Sequence, residues 1–92
     1  MSEAMYQVSE QASWRMMGDT AVIVNVSTGA YYSLNATASE IWQNVAAGKS
    51  EEDILQILLE SYAIDAEQLR ADISECVREW SEEGLISGAG VS

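Results

Sequence analysis

The stretch STGAYYSLNATASEIW, Ser27 to Trp42, carries a turn, a strand and the start of a helix in immediate succession. Ser27-Thr28-Gly29 reads as the turn, with Gly29 as its left-handed residue, because glycine adopts positive φ without a Cβ clash. Ala30 to Leu34 reads as a strand. Its parity puts Ala30, Tyr32 and Leu34 on one face and Tyr31 and Ser33 on the other. Asn35 follows as an N-cap, since its side chain can accept from a free backbone N–H of the first helical turn. Ala38, Ile41, Trp42 and Val45 then recur at helical spacing, and Gly48 ends that helix.

Upstream, Ser13 to Met17 reads as a strand, Gly18-Asp19 as a tight hairpin turn, and Ala21 to Val26 as a central strand rich in β-branched residues. Downstream, Ser50 opens a second helix, with Asp53 in the reciprocal capping position. Its buried face is Ile54, Leu55, Leu58, Leu59 and Tyr62. Asp65 caps a third helix, with Gln68 as its partner. Leu69, Ile73, Val77 and Trp80 form that helix's apolar stripe, and Gly84 stops it. Leu85 and Ile86 fold back as a short apolar tail. The expected fold class is α+β: a winged-helix-like, three-stranded antiparallel sheet followed by three helices packed on one face. The first and third strands then have free edges. The chain reads as one domain with its core over residues 6–86 and loose tails at 1–5 and 87–92. Tyr6 to Val8 forms an extra strand segment or none.

Composition narrows the function. The 92 residues carry a net charge of −11, with 4 Lys and Arg against 15 Asp and Glu. Displacing counterions from a duplex takes several cations, so nucleic-acid binding is disfavoured, as is an anionic membrane surface. A cationic partner is favoured. There is no His, so the usual proton shuttle is missing, and neither a nucleophile elbow nor a phosphate loop occurs. Cys76 stands alone, which rules out an internal disulfide framework. Glu51, Glu52 and Asp53 lie in the first turn of a helix, where negative charge suits the macrodipole. The expectation is a non-enzymatic protein with no metal and no cofactor. The amino terminus has no basic region followed by an apolar run, so a cytoplasmic location is expected.

The run G-A-Y-Y-S-L-N-A-T-A-S-E-I-W, followed by G-K-S-E-E-D-I, Y-A-I-D and E-W-S-E-E-G-L-I, resembles the PqqD-like family over roughly residues 6–86. These are the RiPP recognition elements, which bind the leader peptides of ribosomally made, post-translationally modified peptides. The resemblance rests on Tyr32, Leu34, Asn35, Ile41, Trp42, Asp65, Gly84 and Leu85 in this order and spacing. It implies a leader peptide lying along the third strand, beside the third helix. Members of the family occur as separate small proteins or fused to modifying enzymes. This short chain resembles the stand-alone kind, which brings a precursor to a partner such as a radical-SAM enzyme or the leader peptidase of a lasso-peptide pathway.

The expected peptide-binding residues are Ala30, Tyr31, Tyr32, Ser33 and Leu34 on the strand, and Leu69, Asp72, Ile73, Glu75, Cys76, Glu79 and Trp80 on the helix. An unpaired edge offers N–H and C=O groups to an extended guest. A blunted, idle edge is the plainer alternative. Tyr32 reads as core. Tyr31 is open to two readings, an exposed β-former or part of the groove. Asp72, Glu75 and Glu79, with Glu82 or Glu83, form an acidic stripe that is either a solvated face or a flank for Lys or Arg of a leader. Cys76 reads as a small buried hydrophobe, with groove lining as the alternative, and Trp80 as core or as an anchor at the groove edge. A homodimer through the same edge is a further arrangement the pattern allows. The competing functions are a winged-helix transcription regulator, which the acidic third helix disfavours, and an acidic scaffold subunit that touches only an enzyme.

Overall fold

Each break in the apolar pattern becomes a cap or a turn. The structure, a computed structural model, describes residues 5–89. In chain order the elements are β1 (Met5–Val8), β2 (Ala12–Met17), β3 (Thr20–Asn25), β4 (Tyr31–Ser33), α1 (Ala36–Ala46), α2 (Glu51–Ser61), α3 (Ala66–Glu82) and β5 (Ile86–Ala89). The expected three-stranded antiparallel sheet is present in the order β2-β3-β4, followed by the three helices. All three predicted N-caps form: Asn35 accepts from the Ala38 N–H, Ser50 from Asp53 and Asp65 from Gln68. Each satisfies one of the free donors of a first turn.

The helices cover the inner face of the sheet. Ala21 and Ile23 of β3 meet Ile41, Trp42 and Val45 of α1, with Ile54, Leu55 and Leu58 of α2 and Leu69, Ile73, Val77 and Trp80 of α3 closing the core. Trp42 is fully buried and stacks edge-to-face with Trp14 (centroids 5.9 Å apart) and Trp80 (5.1 Å). Such pairs are worth about 0.5–1.5 kcal/mol beyond the area they bury, so the trio ties β2, α1 and α3 together.

The sequence reading departs from the structure at the chain ends. Ser87, Gly88 and Ala89, expected as loose tail, belong to β5, and β5 pairs antiparallel with β1 in the register Val8↔Ile86 and Tyr6↔Gly88. The expected ordered core therefore extends by three residues at this end and by Met5 at the other. The cause is the return of the chain at Gly84 (φ +77°), where only glycine turns without strain. Leu85 then enters the core, and its carbonyl accepts from the Ser9 N–H at 2.8 Å. Tails at residues 1–4 and 90–92 lie outside the described residues.

A second departure is local. Val26, read as strand, is released because the Asn25 side chain turns the chain: its Oδ1 accepts from Ser27 (2.9 Å) and Thr28 (3.2 Å). The Asn25 Nδ2 donates to the Glu83 carbonyl at 3.2 Å. This buried residue thus joins the turn before β4 to the C-terminal end of α3.

Candidate functional site

β4 is an edge strand, and its hydrogen bonds show which groups remain free. The Asn25 N–H donates to Ala30 O at 2.8 Å, and the Leu34 N–H donates to Ala21 O at 2.9 Å. In an antiparallel ladder bonded pairs alternate with non-bonded ones. The register Ile23↔Tyr32 therefore turns the main chain of Ala30, Tyr32 and Leu34 toward β3. The N–H and C=O of Tyr31 and Ser33 face away, along the open edge.

Ser39 of α1 locks this strand from behind. The Ala21 N–H donates to Ser39 Oγ at 2.7 Å, and the Ser39 hydroxyl donates to Leu34 O at 3.3 Å. A side-chain hydroxyl thus stands where a ladder bond would run, and the strand passes directly into α1.

Beside the open edge lies a groove of about 630 Å³ between β4 and the C-terminal half of α3, lined by Tyr31, Tyr32, Ser33, Leu34, Glu79, Trp80, Glu82 and Glu83. A second hollow of about 430 Å³ continues along α3 toward α1, lined by Asn35, Thr37, Ala38, Ile41, Ile64, Asp72, Glu75, Cys76 and Glu79. Glu79 borders both. The wall on the α3 side is acidic, the floor is apolar, and the remaining side is open backbone.

The structure divides the expected residues into three groups. Tyr31, Tyr32, Ser33, Leu34, Asp72, Glu75, Cys76, Glu79 and Trp80 line the two hollows. Ala30 is half-buried at the strand entry, its carbonyl used by β3. Leu69 and Ile73 face the opposite way, fully buried in the core, and line neither hollow. Helical spacing explains this: both sit on the stripe of Val77 and Trp80, and that stripe is the face α3 turns to the other helices. Trp80 serves both sides, being 5 % exposed yet forming part of the groove floor.

Tyr31 is 65 % exposed on the outer face of the sheet. Tyr32 packs its ring against the core and donates its hydroxyl to Glu83 Oε1 at 2.7 Å, spanning from β4 to the end of α3. That bond to a carboxylate raises the phenol's pKa. Cys76 is half-buried, and burial, reinforced by Glu79, Asp72 and Glu75, pushes its thiol up to about 11. At neutral pH this keeps the thiol protonated, and so a weak nucleophile.

The acidic stripe is partly paired within α3. Arg78 reaches Glu75 at 3.9 Å and Glu82 at 3.5 Å, and Gln68 donates to Asp72 at 2.9 Å. Among the described residues, Glu79 has no such partner. No group of three or more His, Cys, Asp or Glu is placed to hold a metal ion among the described residues.

The α1 side of the groove was not legible in the sequence. Ala38 and Ile41 share a stripe with Trp42 and Val45 and look like plain core. Ile64, in the loop between α2 and α3, gives no local signal. Asn25 and Ser39, which set the position of β4, look like ordinary polar residues until their partners are seen.

No curated protein matches the chain. The fold is shared with solved structures. TbiB1 in complex with the TbiA(beta) leader peptide is similar at TM-score 0.83 and 24 % identity, over 94 % of this chain and 98 % of that one. A lasso peptide synthetase B1 complexed with the leader peptide is similar at TM-score 0.82 and 26 % identity, over 89 % of this chain and 96 % of that one. Residues 20–86, from β3 through the three helices to the start of β5, match the family described as coenzyme PQQ synthesis protein D (PqqD), and the chain belongs to that family.

Proposed function

We propose that this chain is a non-enzymatic binding module that captures the leader segment of a precursor peptide as an added strand on β4. It then presents the remainder of the precursor to a modifying enzyme or leader peptidase in the cytoplasm. The observation that carries this reading is the set of outward main-chain groups of Tyr31 and Ser33 beside a groove of about 630 Å³. Two N–H and two C=O groups at one edge match the hydrogen-bond repeat of an extended peptide. The backbone holds the guest without reading its sequence. Leu34, Ala38, Ile41, Cys76 and Trp80 offer apolar contact to its alternate side chains, and Asp72, Glu75 and Glu79 set the charge it meets. Leu69 and Ile73 support α3 from the core.

The two structural neighbours, both described as complexes with a leader peptide, support this reading. Tethering the leader places the modifiable segment at an effective concentration of about a millimolar near the enzyme. Gene regulation through the same fold is disfavoured, because a recognition helix carries donors for bases and phosphates, whereas α3 turns carboxylates outward.

A fluorescently labelled leader peptide from the precursor encoded beside this protein's gene tests the assignment. Saturable binding, with a change in tryptophan emission as Trp80 of the groove floor is covered, is expected. Unchanged affinity on substituting the β4 edge, or no saturable binding at all, overturns it.

A further inference from the structure

The helices cover one face of the β2-β3-β4 sheet and leave the other bare. Ser13, Arg15 and Met17 of β2, Val22 and Val24 of β3, and Tyr31 and Ser33 of β4 point outward by strand parity. The register sets them in rows, Ser13–Val24–Tyr31 and Arg15–Val22–Ser33. Val26 continues the outward parity beyond β3. The exposed large hydrophobics of the described residues are Met17 (58 %), Val26 (62 %) and Tyr31 (65 %). All three stand on or beside this face.

Its charge also departs from the rest of the molecule. The strands ASWRMM, TAVIVN and YYS contain no Asp or Glu, in a chain of net charge −11. Their one ionised side chain is Arg15, which is exposed, while the ion pairs among the described residues belong to Arg70 and Arg78. An apolar patch with a lone cation and no carboxylate asks for an apolar surface bearing a carboxylate.

We propose that this outer sheet face docks the enzyme that acts on the bound peptide, through a partner surface with an apolar centre and a carboxylate opposite Arg15. The identity of that partner rests on the peptide-binding reading; the docking surface does not. A second copy fits poorly. A two-fold contact would set the same face against itself, so each Arg15 would meet a surface with no carboxylate to pair with. The face is also continuous with the β4 edge. A strand added to β4 extends the same sheet, and every second side chain of the guest stands beside Tyr31 and Ser33. The partner thereby meets a wider surface when a peptide is bound.

The test uses the full chain and the purified leader peptidase or modifying enzyme encoded beside its gene, with affinities measured by biolayer interferometry with and without leader peptide. Arg15→Glu and Val26→Asp are expected to weaken enzyme binding by about tenfold or more, equivalent to about 1.4 kcal/mol, while labelled-leader affinity stays unchanged. Arg15→Lys retains most of the binding, and a partner Asp or Glu changed to Lys restores Arg15→Glu. Melting curves check that each variant is folded, and if Val26→Asp is not, the exposed Arg15→Glu decides alone. Unchanged enzyme binding, absence of an enzyme complex with the parent chain, or loss of leader binding in step overturns the proposal. So does a parent dimer in light scattering that Val26→Asp dissolves, since the face then serves a second copy. Enzyme docking that survives without any leader binding leaves this face assigned and removes the peptide-binding reading instead.

Discussion

At the scale of single residues, positioning comes from polar groups with small side chains. Ser39 is 1 % exposed and Ala21 is fully buried, so the Ala21 N–H has no access to water. Ser39→Ala deletes its acceptor. A buried donor left unpaired costs about 1–3 kcal/mol, and a urea titration should show a loss of that size. Because the same hydroxyl also reaches Leu34 O, leader affinity should fall as well. Cys76 makes a different case. Its pKa rises from 9.0 to about 11 because burial and three carboxylates penalise the thiolate. The folded state therefore holds its proton more tightly than the unfolded chain. The associated stability is fully present below pH 9.0 and is lost as pH rises toward about 11. The urea midpoint should fall across this window, and Cys76→Ala should flatten that fall. Alkylation of the native thiol at mildly alkaline pH should be slower than that of the unfolded chain.

At the scale of elements, β4 has one edge paired with β3 and one edge open. The Ser33 N–H points outward and the Tyr32 N–H points to β3, as the ladder alternation requires. Proline removes one donor and fixes φ near a strand-compatible value. Ser33→Pro should leave the circular dichroism spectrum and melting temperature nearly intact and reduce leader affinity by about tenfold, the loss of about one hydrogen bond. Tyr32→Pro should disturb the sheet itself. If both variants bound peptide like the parent, strand addition at this edge would be ruled out. The contrast also shows what the sequence could and could not disclose. Caps and turns were legible, because Asn35, Ser50, Asp65, Gly29 and Gly84 act on neighbours a few residues away. The apolar stripes of α2 and α3 were legible for the same reason. Tyr6 to Val8 was ambiguous because its partner, β5, lies at the other end of the chain, and local pattern does not encode such a pairing. The groove was half legible: parity and spacing disclosed the faces of β4 and the acidic stripe of α3, and the resemblance to the PqqD-like family set the two side by side, whereas Ala38, Ile41 and Ile64 enter the groove only through the packing of α1 against α3.

At the scale of the whole molecule, shape and charge act together. The principal extents are 36 × 34 × 18 Å, and the short dimension accommodates one sheet and one layer of helices, each helix about 10 Å across. A slab this thin has two broad faces. One is helical and acidic, the other is the bare sheet, and the groove beside β4 opens at the rim between them. Positively charged peptides are drawn toward the carboxylates of α3, where Glu79 borders both hollows without a basic partner among the described residues. The pairs such a peptide forms are exposed and worth only about 0.2–1 kcal/mol each. Their range is set by salt, with a screening length of about 10 Å at 0.1 M and about 3 Å at 1 M. A leader with Lys or Arg in the segment facing α3 should therefore associate faster at low salt and lose several-fold in affinity as sodium chloride is raised. A leader with those positions changed to Gln should be nearly insensitive to salt, since hydrogen bonds to Tyr31 and Ser33 and apolar contacts in the groove then hold it alone. Glu79→Gln should reduce the salt slope for the basic leader and leave the Gln-substituted one unaffected. Stopped-flow association rates across a salt series measure both effects, and equal slopes for the two peptides would assign the acidic wall to solubility rather than to recognition.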